Sequence, residues 1–321
     1  MRAVRVGTAA GAELIETDRP SPEEGEALVR VQAAAICATD RKLAARGARA
    51  PVILGHELAG RLEDGRVVGV HPDVGCGTCR FCRAGFENRC ADRVSIGIDR
   101  DGGLAEWVAV PERQALPLDG VPLEVSPVLE PLACCLHAVR LLDVRPDDPA
   151  LVVGAGAMGI LSMWALQQAG ARVAVSQRSQ ERRELAAELG ADSVLGPDES
   201  AEVALGEPPR VAIVTAPGAE PLVWALEAVA TGGAVHAFAG TPSGARVDAN
   251  VVHYRHLRLM GSTGSALSDY KRAVELVAGG RIQLDRLPRT TVSLDEVPKI
   301  LLGERTAPGL KVTVDVGGAS G

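Results

Sequence analysis

From residue 151 onward, apolar runs of strand length alternate with helical patterns. The strand-like runs fall at 151–153, 172–176, 193–195, 211–214, 234–239 and 257–261. Between and after them, 158–169, 180–189, 220–229 and 266–278 carry apolar positions at helical spacing. Strands separated by helices predict a parallel sheet with helices on both faces. The first third reads differently. Residues 26–33 alternate polar and apolar, as a half-buried strand does, and Pro20-Ser21-Pro22 and Glu24-Gly25 punctuate turns. No helix signal precedes Thr39, where Asp40 is placed to cap a helical turn at 41–45. Near the C-terminus, strand patterns return at 289–292 and 310–314 around a helix at 294–302. The pattern therefore predicts a β-rich domain followed by a doubly wound α/β domain.

The passage from the first parallel strand into its helix reads Val152-Val153-Gly154-Ala155-Gly156-Ala157-Met158-Gly159. In a chain with 36 glycines the spacing alone says little. Its position between strand and helix makes it a dinucleotide-binding turn. Gly154 permits the tight turn, Gly156 lets backbone approach a pyrophosphate, and Gly159 lets helix and strand pack closely. The helix N-terminus offers free N–H groups to the phosphates. The next strand ends at Ser176-Gln177-Arg178, where an NAD-selective fold carries a carboxylate for the ribose hydroxyls. With no carboxylate there and a guanidinium available for a 2′-phosphate, NADP(H) is favoured over NAD(H). The bland alternative is a solvated surface charge on a dual-specific protein.

With 321 residues, 46% of them hydrophobic, two domains are expected. A net charge of −7 and no basic run longer than two residues argue against nucleic acid as a partner. No apolar stretch is long enough to span a membrane. The N-terminus lacks a signal-peptide core and reads as a first strand, which suggests a cytoplasmic protein. Seven cysteines are then read as metal chemistry before disulfides. Cys76, Cys79, Cys82 and Cys90 fit a closed four-thiolate zinc site, structural because no coordination position stays open, with a redox dithiol or an iron–sulfur cluster as the alternative readings. Two weaker signals precede them: Cys37-Ala38-Thr39-Asp40, and Gly55-His56-Glu57 after a strand at 52–54. Either one alone is noise.

Taken in order with Glu130-Pro131-Leu132 and the glycine loop, these motifs make the chain resemble the zinc-dependent medium-chain dehydrogenase/reductase family across nearly its whole length. The resemblance implies a GroES-like catalytic domain over 1–122 and 287–321, and a Rossmann domain over 123–286. It implies two zinc ions per chain and a small alcohol or ketone as substrate. Cys37 and His56 would hold the catalytic zinc, with Glu57 as ligand or near-ligand. Glu130 stands where many alcohol dehydrogenases have a second cysteine, which looks like the polyol, sugar and threonine dehydrogenase branch. Thr39 would take the alcohol proton, while Arg41 and Lys42 occupy positions where many relatives have a relay histidine. Ala239, Gly240, Ser262 and Thr263 would lie near the nicotinamide. Lys311 is near the cofactor in relatives, with a surface lysine as the equal alternative. Cys134 and Cys135 read as core residues of a helix at 132–142. A homodimer or homotetramer is implied, which would also cover the apolar edge strand at 257–261. The rival readings are a zinc-independent quinone or enoyl reductase, which lacks the cysteine lobe and the Cys37/His56 pair, and a non-catalytic binding protein.

Overall fold

The alternation that begins at Glu26 becomes an eleven-residue strand, Glu26–Ile36, in a computed structural model that describes residues 1–241 and 246–317. This strand organises a seven-stranded sheet. It pairs antiparallel with Glu57–Leu62, Trp107–Pro111 and Lys311–Asp315, and the last of these pairs parallel with Arg289–Ser293. The register sets Glu57 opposite Ala35 and Val312 opposite Ile36. The start of one strand, the end of the next and the start of a third therefore share one edge of the sheet. Cys37, Glu57 and Lys311 stand along that edge. Beneath it the core is built from aliphatic side chains such as Val4, Val29, Leu54, Leu58, Leu104 and Val314, as a chain with 2% aromatics requires.

The chain forms two compact units, one of Met1–Ala133 with Gly264–Gly321 and the other of Cys134–Thr263. The sequence-based cut assigns 123–133 and 264–286 to the cofactor half; in the structure they belong to the first unit. The reason is visible in the helix Leu267–Ala278. Its Tyr270 is buried, meets the His71 ring edge-on at 5.8 Å, and has its hydroxyl against Gly69.

The second unit holds a six-stranded, all-parallel sheet. Its order is Ser193–Leu195, Arg172–Ser176, Pro149–Val153, Val211–Val214, Ala234–Ala237, Arg258–Gly261. In chain order that is 3-2-1-4-5-6, the doubly wound dinucleotide fold, with its switch point between Pro149–Val153 and Val211–Val214. Hydrophobic pattern misses the short helices Ala201–Leu205 and Ala249–Tyr254, which are too brief to show a period and are fixed by side-chain caps from Ser200 and Asp248. The helix Leu129–Leu142 starts three residues before the pattern suggests, because proline is tolerated in a first turn. Glu130 is thereby placed on a helix. Among the described residues no helix is long and apolar enough to cross a membrane.

Candidate metal and cofactor sites

Strand Glu26–Ile36 passes directly into the helix Ala38–Arg46, with Cys37 as its N-cap. Asp40 is not the cap expected from sequence. It is the third helical residue, fully buried, and its Oδ2 accepts from the backbone N–H of Cys37 at 2.8 Å. The other carboxylate oxygen faces His56 Nδ1 at 3.5 Å. A carboxylate behind a histidine fixes the ring's orientation, leaving Nε2 as the nitrogen for a metal. Burial opposes a charge on His56, but Asp40 and then Cys37 outweigh it and raise its pKa.

Ligand atoms of Cys37, His56 and Glu57 lie within 4.8 Å of one another. Behind them Lys311 Nζ stands 2.6 Å from Glu57, donating to Oε1. Lys311 is 7% exposed, so the surface-lysine alternative is excluded. Burial lowers its pKa, yet Glu57 first and then Cys37 raise it overall. The half-buried Cys37 thiol and the buried carboxylates of Glu57 and Glu130 thus act on one fixed cation, with the Asp40 carboxylate buried behind His56. Such an excess of negative donors is costly without a further cation. The donor set of sulfur, imidazole and carboxylate suits zinc. Thr39 is half-buried in the first turn of the same helix. Glu130 does not join the three converging ligand atoms. It is buried in the first turn of Leu129–Leu142, near enough to Lys311 and Tyr270 to act on both electrostatically. Arg41 donates to the Ile300 carbonyl at 2.6 Å and is a structural tie.

The second cluster is Cys76, Cys79, Cys82 and Cys90, whose sulfurs also lie within 4.8 Å of one another. Tetrahedral zinc with Zn–S of about 2.3 Å spaces its sulfurs roughly 3.8 Å apart, and Cys76 and Cys82 stand 4.0 Å apart. Backbone N–H groups of Cys76, Cys79 and Cys82 point at the sulfurs of Cys90, Cys76 and Cys79, each at 3.4 Å. The Thr78 hydroxyl, with backbone N–H support, lowers the Cys76 thiol to about 6. Amides turned toward sulfur stabilise thiolates, so this cluster also fits the metal. Cys134 and Cys135 join neither group. Cys135 is buried and accepts from the Ser162 hydroxyl at 3.4 Å.

In the second unit the glycine loop has the geometry its motif demands. Gly154 has φ +108°, and a Cβ on Gly159 would come within 1.9 Å of the Gly154 carbonyl. Gly156 caps the helix Ala157–Gln168, leaving an open approach to its N–H groups. Thr215 Oγ1, unremarked in the sequence, donates to the Val153 carbonyl at 3.0 Å and braces the turn. Ser176 is buried at the end of its strand, and Gln177 Oε1 accepts from the backbone N–H of Arg178 at 2.7 Å. Arg178 is exposed. Arg183 donates to the Gln177 and Arg178 carbonyls at 2.8 and 2.9 Å and shapes this corner. Sequence reasoning also passes over Arg182, whose guanidinium stands 4.0 Å from where a Gly156 Cβ would lie. A second cation four residues after Arg178, at the start of the helix Gln180–Glu188, is the signal that could have found it. Ala239 and Gly240 follow strand Ala234–Ala237, and Ser262 and Thr263 follow Arg258–Gly261, all at carboxyl ends of the parallel sheet.

Comparison with known proteins identifies the family of the chain. Residues 23–120 match the family described as alcohol dehydrogenase GroES-like domain, and 157–279 match zinc-binding dehydrogenase. An L-threonine 3-dehydrogenase from Pyrococcus horikoshii is 32% identical over 301 residues, covering 86% of each chain. An L-galactonate-5-dehydrogenase from Escherichia coli K12 is 29% identical over 289 residues, covering 84% of each. A Sinorhizobium meliloti 1021 protein classed as a zinc-binding dehydrogenase, solved with NADP bound, superposes with a TM-score of 0.90 at 32% identity, covering 98% of this chain and 99% of that one.

Proposed function

Because the chain belongs to the zinc-dependent medium-chain dehydrogenase family, and is thus an NAD(P)-dependent alcohol oxidoreductase, we propose that it oxidises a secondary alcohol of polyol, sugar or sugar-acid type, or reduces the corresponding ketone, with NADP(H). The observation that carries this reading is the convergence of Cys37, His56 and Glu57, apart from the four-cysteine lobe. A complete lobe beside an open mixed site is the division expected between structural and catalytic zinc.

Zinc held by Cys37 and His56 supplies a Lewis acid that lowers the pKa of a substrate hydroxyl. The remaining tasks fall to the chain. Asp40 holds the His56 ring in place. Lys311 pins the Glu57 carboxylate, which limits how far it can reach. Thr39, the second residue of the helix after the N-cap Cys37, offers a hydroxyl to receive the substrate proton. Beyond Thr39, the arginine tied to Ile300 does not continue a relay, so the chain's own part in the proton path ends at the Thr39 hydroxyl. Glu130, held near Lys311 and Tyr270, adds negative charge that favours metal retention. The glycine loop and the N-terminus of Ala157–Gln168 bind the pyrophosphate, and Arg178 with Ser176 favours a 2′-phosphate. The substrate class is supported by the sugar-acid and hydroxy-amino-acid dehydrogenases among the relatives, and by Glu130 standing in place of a cysteine.

The test is a panel of polyols, aldonic acids, threonine and simple alcohols, read as NADPH and NADH absorbance with the zinc-loaded protein. Turnover of a polyhydroxylated substrate with NADP⁺ supports the reading. Turnover confined to enones or quinones, unaffected by chelator, contradicts it.

A further inference from the structure

His236 is a fully buried imidazole that neither metal site nor the glycine loop uses. It lies in strand Ala234–Ala237 and is 0% exposed. Its Nε2 is 2.9 Å from Ser262 Oγ, while Nδ1 has no hydrogen-bond partner among the described residues. A polar ring in a sheet interior with one nitrogen unsatisfied costs stability that an aliphatic residue would not. Burial first, and His137 second, push its pKa down to about 4, so the ring is neutral at physiological pH. A neutral imidazole can fix a neighbouring hydroxyl in one orientation.

Ser262 is half-buried and is the first residue after Arg258–Gly261, at the carboxyl end of the sheet where doubly wound folds bind ligands. The sheet's two halves meet at the glycine loop, which fixes the pyrophosphate. Arg178 marks the half beside Arg172–Ser176 as the adenosine side. The nicotinamide then falls to the half made by Val211–Val214, Ala234–Ala237 and Arg258–Gly261, where Ser262 stands. Its carboxamide offers N–H groups that need an acceptor.

We propose that Ser262 donates its hydroxyl proton to His236 Nε2 and accepts a hydrogen bond from the nicotinamide carboxamide N–H, with His236 as the positioning residue that orients it. The inference rests on the dinucleotide reading above. It predicts an effect confined to the nicotinamide end of the cofactor.

The experiment is fluorescence titration of the zinc-loaded full chain with NADPH and NADH, the 3-acetylpyridine analogue, ADP-ribose and 2′-phospho-ADP-ribose. Ser262→Ala should weaken NAD(P)H by about two- to twelvefold, the span of one neutral hydrogen bond. It should leave both ADP-ribose ligands and the acetylpyridine analogue, which lacks the amide N–H, within twofold. His236→Leu should reproduce that pattern, and His236→Gln, which keeps an acceptor near the Nε2 position, should restore NAD(P)H binding. Unchanged NAD(P)H affinity in Ser262→Ala overturns the proposal, as does an equal loss of ADP-ribose, which would mark a structural tie. If His236→Leu does not fold, the Ser262→Ala comparison decides alone. A wild-type protein that binds neither NAD(P)H nor the ADP-ribose ligands overturns the cofactor reading itself, an outcome distinct from failure at Ser262.

Discussion

Lys311 shows how much of a site can depend on a residue that offers no donor atom to the metal. Its ammonium is the only fixed cation described within hydrogen-bond reach of Glu57. Removing one partner of a buried pair typically costs about 3–5 kcal/mol, because the other charge is left unpaired. Lys311→Met should therefore lower unfolding stability by about that amount, and adding Glu57→Gln should recover most of it. Denaturant unfolding of the single and double variants checks this; additive losses would mean the pair is not coupled. On the proposed reading, Arg178 is the corresponding residue at the cofactor end. A guanidinium–phosphate bond is worth about 1.5–3 kcal/mol, so Arg178→Ala should weaken NADP⁺ about ten- to a hundredfold and leave NAD⁺ nearly unchanged. Equal loss of both, measured as kcat/KM, would assign Arg178 to general electrostatics. Cys37, His56 and Glu57 are legible only through the family resemblance that their motifs carry together, since each motif alone is too short to indicate a metal. Lys311 is not, because its partner is 254 positions away and only the strand register joins them. Asp40 misleads for the opposite reason. Its local pattern fits a cap, and only His56 at 3.5 Å reveals the second task.

At the scale of elements, the parallel strands and their helices are readable because each is long enough to show a period or an apolar run. Ala201–Leu205 and Ala249–Tyr254 are not, being single turns fixed by caps. The helix Leu267–Ala278 is predicted as a helix, but its unit depends on what Tyr270 packs against, which no local pattern carries. The parallel sheet should also confer a pH dependence. His236 has a pKa lowered from 6.5 to about 4, chiefly by burial. The unfolded chain therefore binds more protons than the folded one between those values. Stability contributed by the neutral ring is complete above pH 6.5 and falls as pH drops toward 4, by up to about 3 kcal/mol. The thermal midpoint of wild type should decline over this window more steeply than that of His236→Gln. Parallel curves would show that His236 does not titrate with folding.

For the whole molecule, two exposed features bear on assembly. Strand Arg258–Gly261 is the edge of the six-stranded sheet, with Leu259 39% exposed and Tyr254, on the preceding helix, 74% exposed. An unpaired apolar edge invites pairing, and a two-fold partner satisfies it without open-ended growth. Light scattering at micromolar concentration should report a dimer or tetramer, and Leu259→Lys should shift it toward monomer. A wild-type monomer would contradict this account of the edge.

The central claim is that the chain carries two zinc sites of different kind, and that the one built from Cys37, His56 and Glu57 performs the chemistry. The most direct measurement is zinc per chain, by elemental analysis after dialysis, in wild type, Cys37→Ser and Cys79→Ser, with the thermal midpoint recorded on the same samples. Wild type should hold two ions. Cys37→Ser should hold one and keep its fold, because only the open site is damaged, whereas Cys79→Ser should lose stability along with its ion, since a closed structural site contributes directly to folding. Two ions retained in Cys37→Ser, or a wild type that holds a single ion and loses it only in Cys79→Ser, would contradict the assignment.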